Sequence, residues 1–246
     1  MESRAIKDRF YDAWATIAKA LASGKRVELL DVLSQGERTV EALARETGLT
    51  VNNTSSHLKA LRAARLVETR KEAQFVYYRL ADDGVVRVFR EIQTLARRRL
   101  QDVDQLARAY IDDRDTLEPI SATELRRRLK AGDVTLVDVR PAVEYEAGHI
   151  AGAISVPLAD FKRELATLPK RFLVVAYCRG PYCVLSVEAV EQLRRRGYRA
   201  IRLREGLPDW KAAGLPVKVG VEGKWTTRRI AKRGTRPPTP PDVVQR

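Results

Sequence analysis

The chain has 246 residues, more than one compact core usually needs, so one large or two ordinary domains are expected. Its 44% hydrophobic and 32% charged residues exclude a disordered chain, and no apolar run nears the roughly 20 residues of a spanning helix, so a cytoplasmic protein without membrane contact is expected. A net charge of +14 suits a polyanionic partner such as nucleic acid, and the two cysteines, Cys178 and Cys183, share one short segment, which excludes a disulfide framework.

In chain order, Ile6, Phe10, Ala13, Trp14, Ile17, Ala20 and Leu21 recur at three- and four-residue intervals and predict a helix, with Gly24 as its stop. A second helix is expected over residues 25–33, and a third over 40–47 that exits through Gly48, the residue best suited to a left-handed turn. The fourth begins after Thr50. It turns Thr54, Leu58 and Leu61 inward and Asn52, Asn53, Ser56 and Lys59 outward. Residues 66–70 and 75–80 read as a β-hairpin around Lys71-Glu72-Ala73-Gln74, and one long helix is expected over 84–111.

A polar stretch closing on Pro119 places the domain boundary. The expected organisation is therefore a DNA-binding and dimerisation domain over 1–116, a second domain over 117–218, and a basic, proline-rich flexible tail over 219–246. Beyond the boundary a helix over 121–131 precedes continuous apolar strands at 134–139 and 172–177 and a shorter one at 200–203, with helices at 183–196 and 208–213. Such alternation indicates an open parallel α/β sheet covered on both faces.

A helix, a tight turn through Gly48-Leu49-Thr50, a polar-faced helix and a basic hairpin outline a mainly-α winged helix-turn-helix. Asn52, Asn53, Ser55, Ser56, His57 and Lys59 are the candidate groove-facing residues, and Arg70 and Lys71, expected at the wing tip, the candidate phosphate contacts. The same short polar side chains also serve simply to cap and solvate a helix start. Residues 40–50 and 55–67 (Val-Glu-Ala-Leu-Ala-Arg-Glu-Thr-Gly-Leu-Thr, then Ser-Ser-His-Leu-Lys-Ala-Leu-Arg-Ala-Ala-Arg-Leu-Val) resemble the ArsR/SmtB family of regulators over about residues 5–105. That resemblance implies a homodimer, with the helices around Trp14 and Leu95 pairing between subunits, and an imperfectly palindromic double-stranded operator. Metal-sensing members carry thiols or last-helix histidines; residues 37–43 hold no thiol, and neither His57 nor His149 lies on the last helix, so no metal and no other cofactor is expected.

Further on, Leu136-Val-Asp-Val-Arg140, residues 144–157, Tyr177-Cys-Arg-Gly-Pro-Tyr-Cys183 and residues 205–216 occur in an order that resembles the rhodanese family over about 118–217. The resemblance implies that Cys178 takes a sulfane sulfur from a small donor such as thiosulfate or polysulfide and holds it as a persulfide. Independently, Cys178 closes an apolar strand and opens a loop into a helix, where backbone N–H groups, the helix start and the neighbouring Arg179 would lower its pKa. Gly180 and Tyr182 complete the candidate loop. Asp138, Arg140, Glu144 and His149 read as scaffold. Where the family usually closes its loop with Arg, Thr or Lys, this chain has Cys183, a candidate resolving thiol. Three readings stay open: a regulator that senses or transfers sulfur through Cys178, a rhodanese-type sulfurtransferase with an uncoupled DNA-binding domain, and a scaffold with a vestigial cysteine.

Overall fold

The computed structural model describes residues 2–112, 119–165 and 168–221. The expected boundary at 116/117 and nearly all of the basic tail lie outside the described residues.

The first half is helical and built around leucine. Helices α1 (Glu2–Leu21), α2 (Gly24–Leu33), α3 (Val40–Thr47) and α4 (Val51–Ala63) enclose a core of Leu29, Leu30, Leu33, Leu43, Leu58 and Leu61, all buried. Local chemistry sets the turn between α3 and α4. Thr39 caps α3 by accepting from the Ala42 N–H, Gly48 leaves it at φ 65°, and Thr50 caps α4 by accepting from the Asn53 N–H. Thr54, Leu58 and Leu61 point inward as expected, while Asn52, Asn53, Ser56 and Lys59 are exposed and Ser55 and His57 half-buried.

Strands β2 (Val67–Glu72) and β3 (Phe75–Leu80) form the wing, and β1 (Arg38–Thr39) adds to β3 as a third strand, tying the start of α3 to the hairpin. The wing is longer than its sequence implies. Glu72 pairs with Phe75, so the turn is only Ala73-Gln74, with Ala73 at φ 50°. Arg70 therefore lies within the ladder opposite Tyr77, not at the tip. Its guanidinium is held by Glu37 and Glu72. The expected single long helix is also interrupted: α5 (Asp83–Arg99) stops at Leu100, whose φ −110° and ψ 109° are extended, and α6 (Gln101–Ala107) restarts and runs into a π turn over Arg108–Asp112. Asp104, in the first turn of α6, bonds Arg97 of α5 across the break. Ala107 and Ile111 are buried by this bend, which brings the π turn against the second domain.

That domain is an α/β layer structure. Helix α7 (Ala122–Ala131), capped by Ser121, leads into β4 (Val134–Asp138), followed by α8 (Ala142–Ala147), β5 (His149–Ile150), β6 (Ile154–Ser155), α9 (Phe161–Glu164), β7 (Leu173–Tyr177), α10 (Val184–Arg195), β8 (Ala200–Arg202), α11 (Leu207–Ala212) and β9 (Val217–Lys218). The main sheet has order β6-β4-β7-β8 and is parallel throughout; β5 and β9 pair separately as a short antiparallel ribbon. Alternate strand residues face opposite layers. Val137, Val174 and Ala176 meet Val190 and Leu193 of α10 on one side, and Leu136, Val175 and Tyr177 meet Leu125, Tyr145 and Trp210 on the other. Both faces are covered, so β7 is central and its carboxyl end opens at the edge of the layer, where α/β sheets place their sites.

Candidate functional site

Cys178 follows β7 directly and is 2% exposed. The floor beneath it is ionic and dry. Asp138 bonds Arg140 through both carboxylate oxygens and accepts from the Tyr177 hydroxyl at 2.5 Å, while Arg140 also donates to the Gly148 carbonyl at 2.8 Å. These groups are fully buried, so each depends on its partners and cannot fall back on water. Burial and the Asp138 carboxylate push the Tyr177 phenol upward, which keeps it a neutral donor. The scaffold role expected for Asp138, Arg140 and Glu144 is what their contacts describe, and His149 is buried, stacked on Tyr145 at 3.7 Å.

The loop from Cys178 to Cys183 turns back on itself, with the Cys183 N–H donating to the Gly180 carbonyl at 3.1 Å. Around the Cys178 sulfur stand the Ser186 hydroxyl at 3.3 Å and the Cys183 carbonyl at 3.4 Å. Burial works against a thiolate here, yet hydrogen bonds from the Cys183 thiol, the Ser186 hydroxyl and the Gly180 and Ser186 amides outweigh it and bring the Cys178 pKa down to about 7. The same thiol-to-thiol bond pushes Cys183 upward, as does its burial. Both cysteines are free thiols.

Arg179 acts differently from expectation. Its guanidinium binds the buried Glu144 and reaches onward to Glu46 of α3 at 3.2 Å, so its charge is matched by carboxylates. This contact crosses between the domains, and others accompany it. Arg140 donates to Gln35 at 3.1 Å, Arg90 of α5 donates to Asp209 and to the Arg179 carbonyl at 2.9 Å each, and a Cβ on Gly36 would lie 2.8 Å from that of Ala147. Between the domains is a cleft of about 340 Å³, walled by Asp31, Arg90 and Gln93 on one side and by Arg179, Gly180, Tyr182 and Cys183 on the other.

Both halves match known families: residues 23–69 match the bacterial regulatory protein, arsR family, and residues 121–213 the rhodanese-like domain. Across almost the whole chain, it is 45% identical over 214 residues to the HTH-type transcriptional regulator Rv0324 of Mycobacterium tuberculosis, covering 87% of this chain and 94% of that protein. The chain belongs to the ArsR family of transcriptional regulators. In this member a rhodanese-like domain follows the winged helix. That second domain is similar to a sulfurtransferase of Allochromatium vinosum, 36% identical over 106 residues, which are 42% of this chain and 96% of that protein. Among solved structures, the homodimeric winged helix-turn-helix DNA-binding domain of Mb0332 from Mycobacterium bovis is 44% identical, covering 38% of the regulator and 87% of that chain with a TM-score of 0.37.

The regulator's two candidate sites are thus separate clusters. Asn52, Asn53, Ser55, Ser56, His57 and Lys59 share α4, and Lys71 is exposed on the wing, far in sequence from the Cys178–Cys183 loop. Within the loop, Cys178, Arg179, Gly180, Tyr182 and Cys183 are brought together. Ser186 joins them without having stood out in the sequence, although a serine in the first turn of a helix that follows a strand-end cysteine carries that signal. Glu46, Arg90, Asp31 and Gln35 sit on the other domain, and no local pattern marks them.

Proposed function

We propose that the regulator binds a palindromic operator as a homodimer and that sulfur chemistry at Cys178 changes its affinity for that operator. The observation that carries the coupling is the ion pair of Arg179, the residue after Cys178, with Glu46 on α3, the helix directly before the candidate recognition helix. A change in the loop has a physical path to α4 through one side chain.

Dimerisation is supported by an unpartnered apolar face. Ile6, Phe10, Tyr11 and Trp14 on α1 and Val88, Ile92 and Leu95 on α5 are all exposed, with Trp14 at 62%. A water-facing stripe of this size is a surface for another chain. A two-fold pair would set two α4 helices about one DNA turn apart, with Asn53 and Ser56 toward base edges and Lys71 toward phosphates.

In the sulfur step, the Cys178 thiolate attacks the sulfane sulfur of thiosulfate or polysulfide. A bond to Sγ forms and the donor's S–S bond breaks. Its electron pair leaves with sulfite or with the shortened polysulfide, and a persulfide remains. Cys183 can then attack the inner sulfur, closing a Cys178–Cys183 disulfide and releasing hydrosulfide, which takes the Cys183 proton. Operator affinity of reduced and polysulfide-treated protein, in wild type and Cys178→Ser, tests the proposal. It requires a change in the wild type alone; equal affinities before and after treatment would leave an uncoupled sulfurtransferase instead.

A further inference from the structure

Gly180 lies against a side chain of the other domain. A Cβ built there would fall 2.6 Å from Nη2 and 2.9 Å from Nη1 of Arg90, so a guanidinium fills the space that any larger residue would occupy. Arg90 is itself fixed on three sides, by Asp209, by Gln93 Oε1 and by the Arg179 carbonyl, each at 2.9 Å. Gly206 keeps the far side of that carbonyl open, since a Cβ there would stand 2.2 Å from it.

The carbonyl of Arg179 and the N–H of Gly180 belong to one peptide group, and no cis peptide bond occurs among the described residues. In a trans peptide the two point in opposite directions. Holding the carbonyl toward Arg90 therefore directs the Gly180 N–H away from Arg90 and fixes the turn that the loop makes around the Cys178 sulfur, with the Gly180 carbonyl 3.8 Å from Sγ and accepting from the Cys183 N–H at 3.1 Å. The amides of this turn are among the groups that lower the Cys178 pKa, and a charged donor on the preceding carbonyl polarises the Gly180 peptide further. The charged groups around this point are Asp31 from α2, Glu46 from α3, Arg90 from α5, Glu144 from α8 and Asp209 from α11, with Arg179 between them. Asp31 is pushed up by burial, against the pull of Arg90 and Arg179.

We propose that the sulfur site is shared between the domains: Arg90 is a positioning residue for Cys178, and the cleft it walls admits a low-molecular-weight sulfane-sulfur donor. This rests on the reading of Cys178 as the sulfur acceptor. Cys183 and Tyr182 line the cleft, and behind them Cys178 Sγ meets the Cys183 carbonyl at 3.4 Å. At about 340 Å³ the space suits an inorganic polysulfide or a small-thiol persulfide. A persulfide carried on a folded protein meets α2 and α5 in its way. With tetrasulfide, the thiolate takes the terminal sulfur, a new Sγ–S bond forms, one donor S–S bond breaks, and trisulfide leaves with the electron pair; no outside oxidant is needed.

The test uses full-length protein, with the pH profile of Cys178 alkylation by iodoacetamide and the rate of its persulfidation by sodium tetrasulfide, both followed by mass spectrometry. Arg90→Ala should move the alkylation midpoint upward by at least half a pH unit and slow persulfidation about tenfold, and Arg90→Lys, which keeps one donor, should fall between it and wild type. Lys211→Ala removes an exposed ion pair to Asp83 elsewhere on the boundary and should change neither. A wild-type profile and rate in Arg90→Ala overturn the positioning role; should that variant not fold, Arg90→Gln carries the same expectation. Persulfidated serum albumin should transfer no sulfur to Cys178, and transfer as fast as from tetrasulfide overturns the small-donor assignment. If wild type accepts sulfur from neither source while its alkylation profile still responds to Arg90→Ala, the sulfur reading falls and the positioning role stands.

Discussion

Arg140 and Gln35 meet across the domain boundary at 3.1 Å, and both are buried. The same guanidinium holds Asp138, which holds Tyr177, so the floor beneath Cys178 and the joint between the domains are one network. Arg140→Ala leaves a buried carboxylate uncompensated and should cost about 3–5 kcal/mol of stability. Gln35→Ala removes one partner of a charge and should cost about 1–3 kcal/mol. Thermal or urea unfolding measures both, and a Gln35→Ala chain as stable as wild type would show that the joint contributes nothing.

Alkylation of Cys178 should rise with pH through a midpoint of about 7, since its pKa is lowered and the thiolate dominates above that value. Ser186→Ala and Cys183→Ala each remove a donor to the thiolate and should move the midpoint upward, while Cys183 in the wild type, pushed the other way, should react far more slowly. Rates of iodoacetamide labelling between pH 5 and 10 give the comparison; a downward shift in either variant contradicts the assignment.

Gly180→Ala inserts a methyl where Arg90 sits. Overpacking of this kind costs about 1–3 kcal/mol. Because Arg90 must move, the variant should also lose its bond to the Arg179 carbonyl, and chemical denaturation combined with Cys178 labelling should show both effects together.

On the wing, Lys71 is exposed, while Arg70 is committed to Glu37 and Glu72, and burial opposes but does not undo the low pKa its hydrogen bond gives Glu37. Lys71→Ala should reduce the slope of log affinity against log salt by about 0.9 for each phosphate it no longer neutralises. Arg70→Ala should change it less. Fluorescence anisotropy on operator DNA at several salt concentrations decides, and equal losses would mean that Arg70 leaves its carboxylates on binding. Asn53→Ala or Ser56→Ala should instead alter preference among operator sequences.

Trp14→Asp places a charge in the middle of the exposed α1 stripe and should shift the chain to monomer in sedimentation velocity, with loss of operator affinity. Retention of a wild-type dimer would put the pairing surface elsewhere.

Much of this architecture is local and legible as such. Gly48 and Thr50 announce the exit of α3 and the start of α4, and the apolar runs at β4 and β7 announce a sheet covered on both sides. What escapes has no local signature. Leu100 ends α5 without glycine or proline, β1 is two residues long, and the turn at Ala73 uses a positive φ that alanine rarely adopts. The site divides the same way. Cys178 stands out from its strand-loop-helix setting, but the partners of the loop, Glu46 and Arg90, lie on helices whose periodicity speaks only of their own core. Arg179 shows the limit of proximity: adjacent to the thiol in sequence, it is claimed in space by Glu144.

Gly36 has a mechanical consequence. Where its hydrogen stands, even a methyl would collide with Ala147, so at this point the two domains are already at the closest approach their atoms allow. Surfaces pressed together in this way have no room to swing gradually about a hinge. The boundary can shift by fractions of an ångström while it remains closed, or it can open altogether. A signal passing from the sulfur loop to the DNA-binding helices would then behave as a latch, held or released, with the sharpness of its threshold set by how many of the boundary ion pairs let go together.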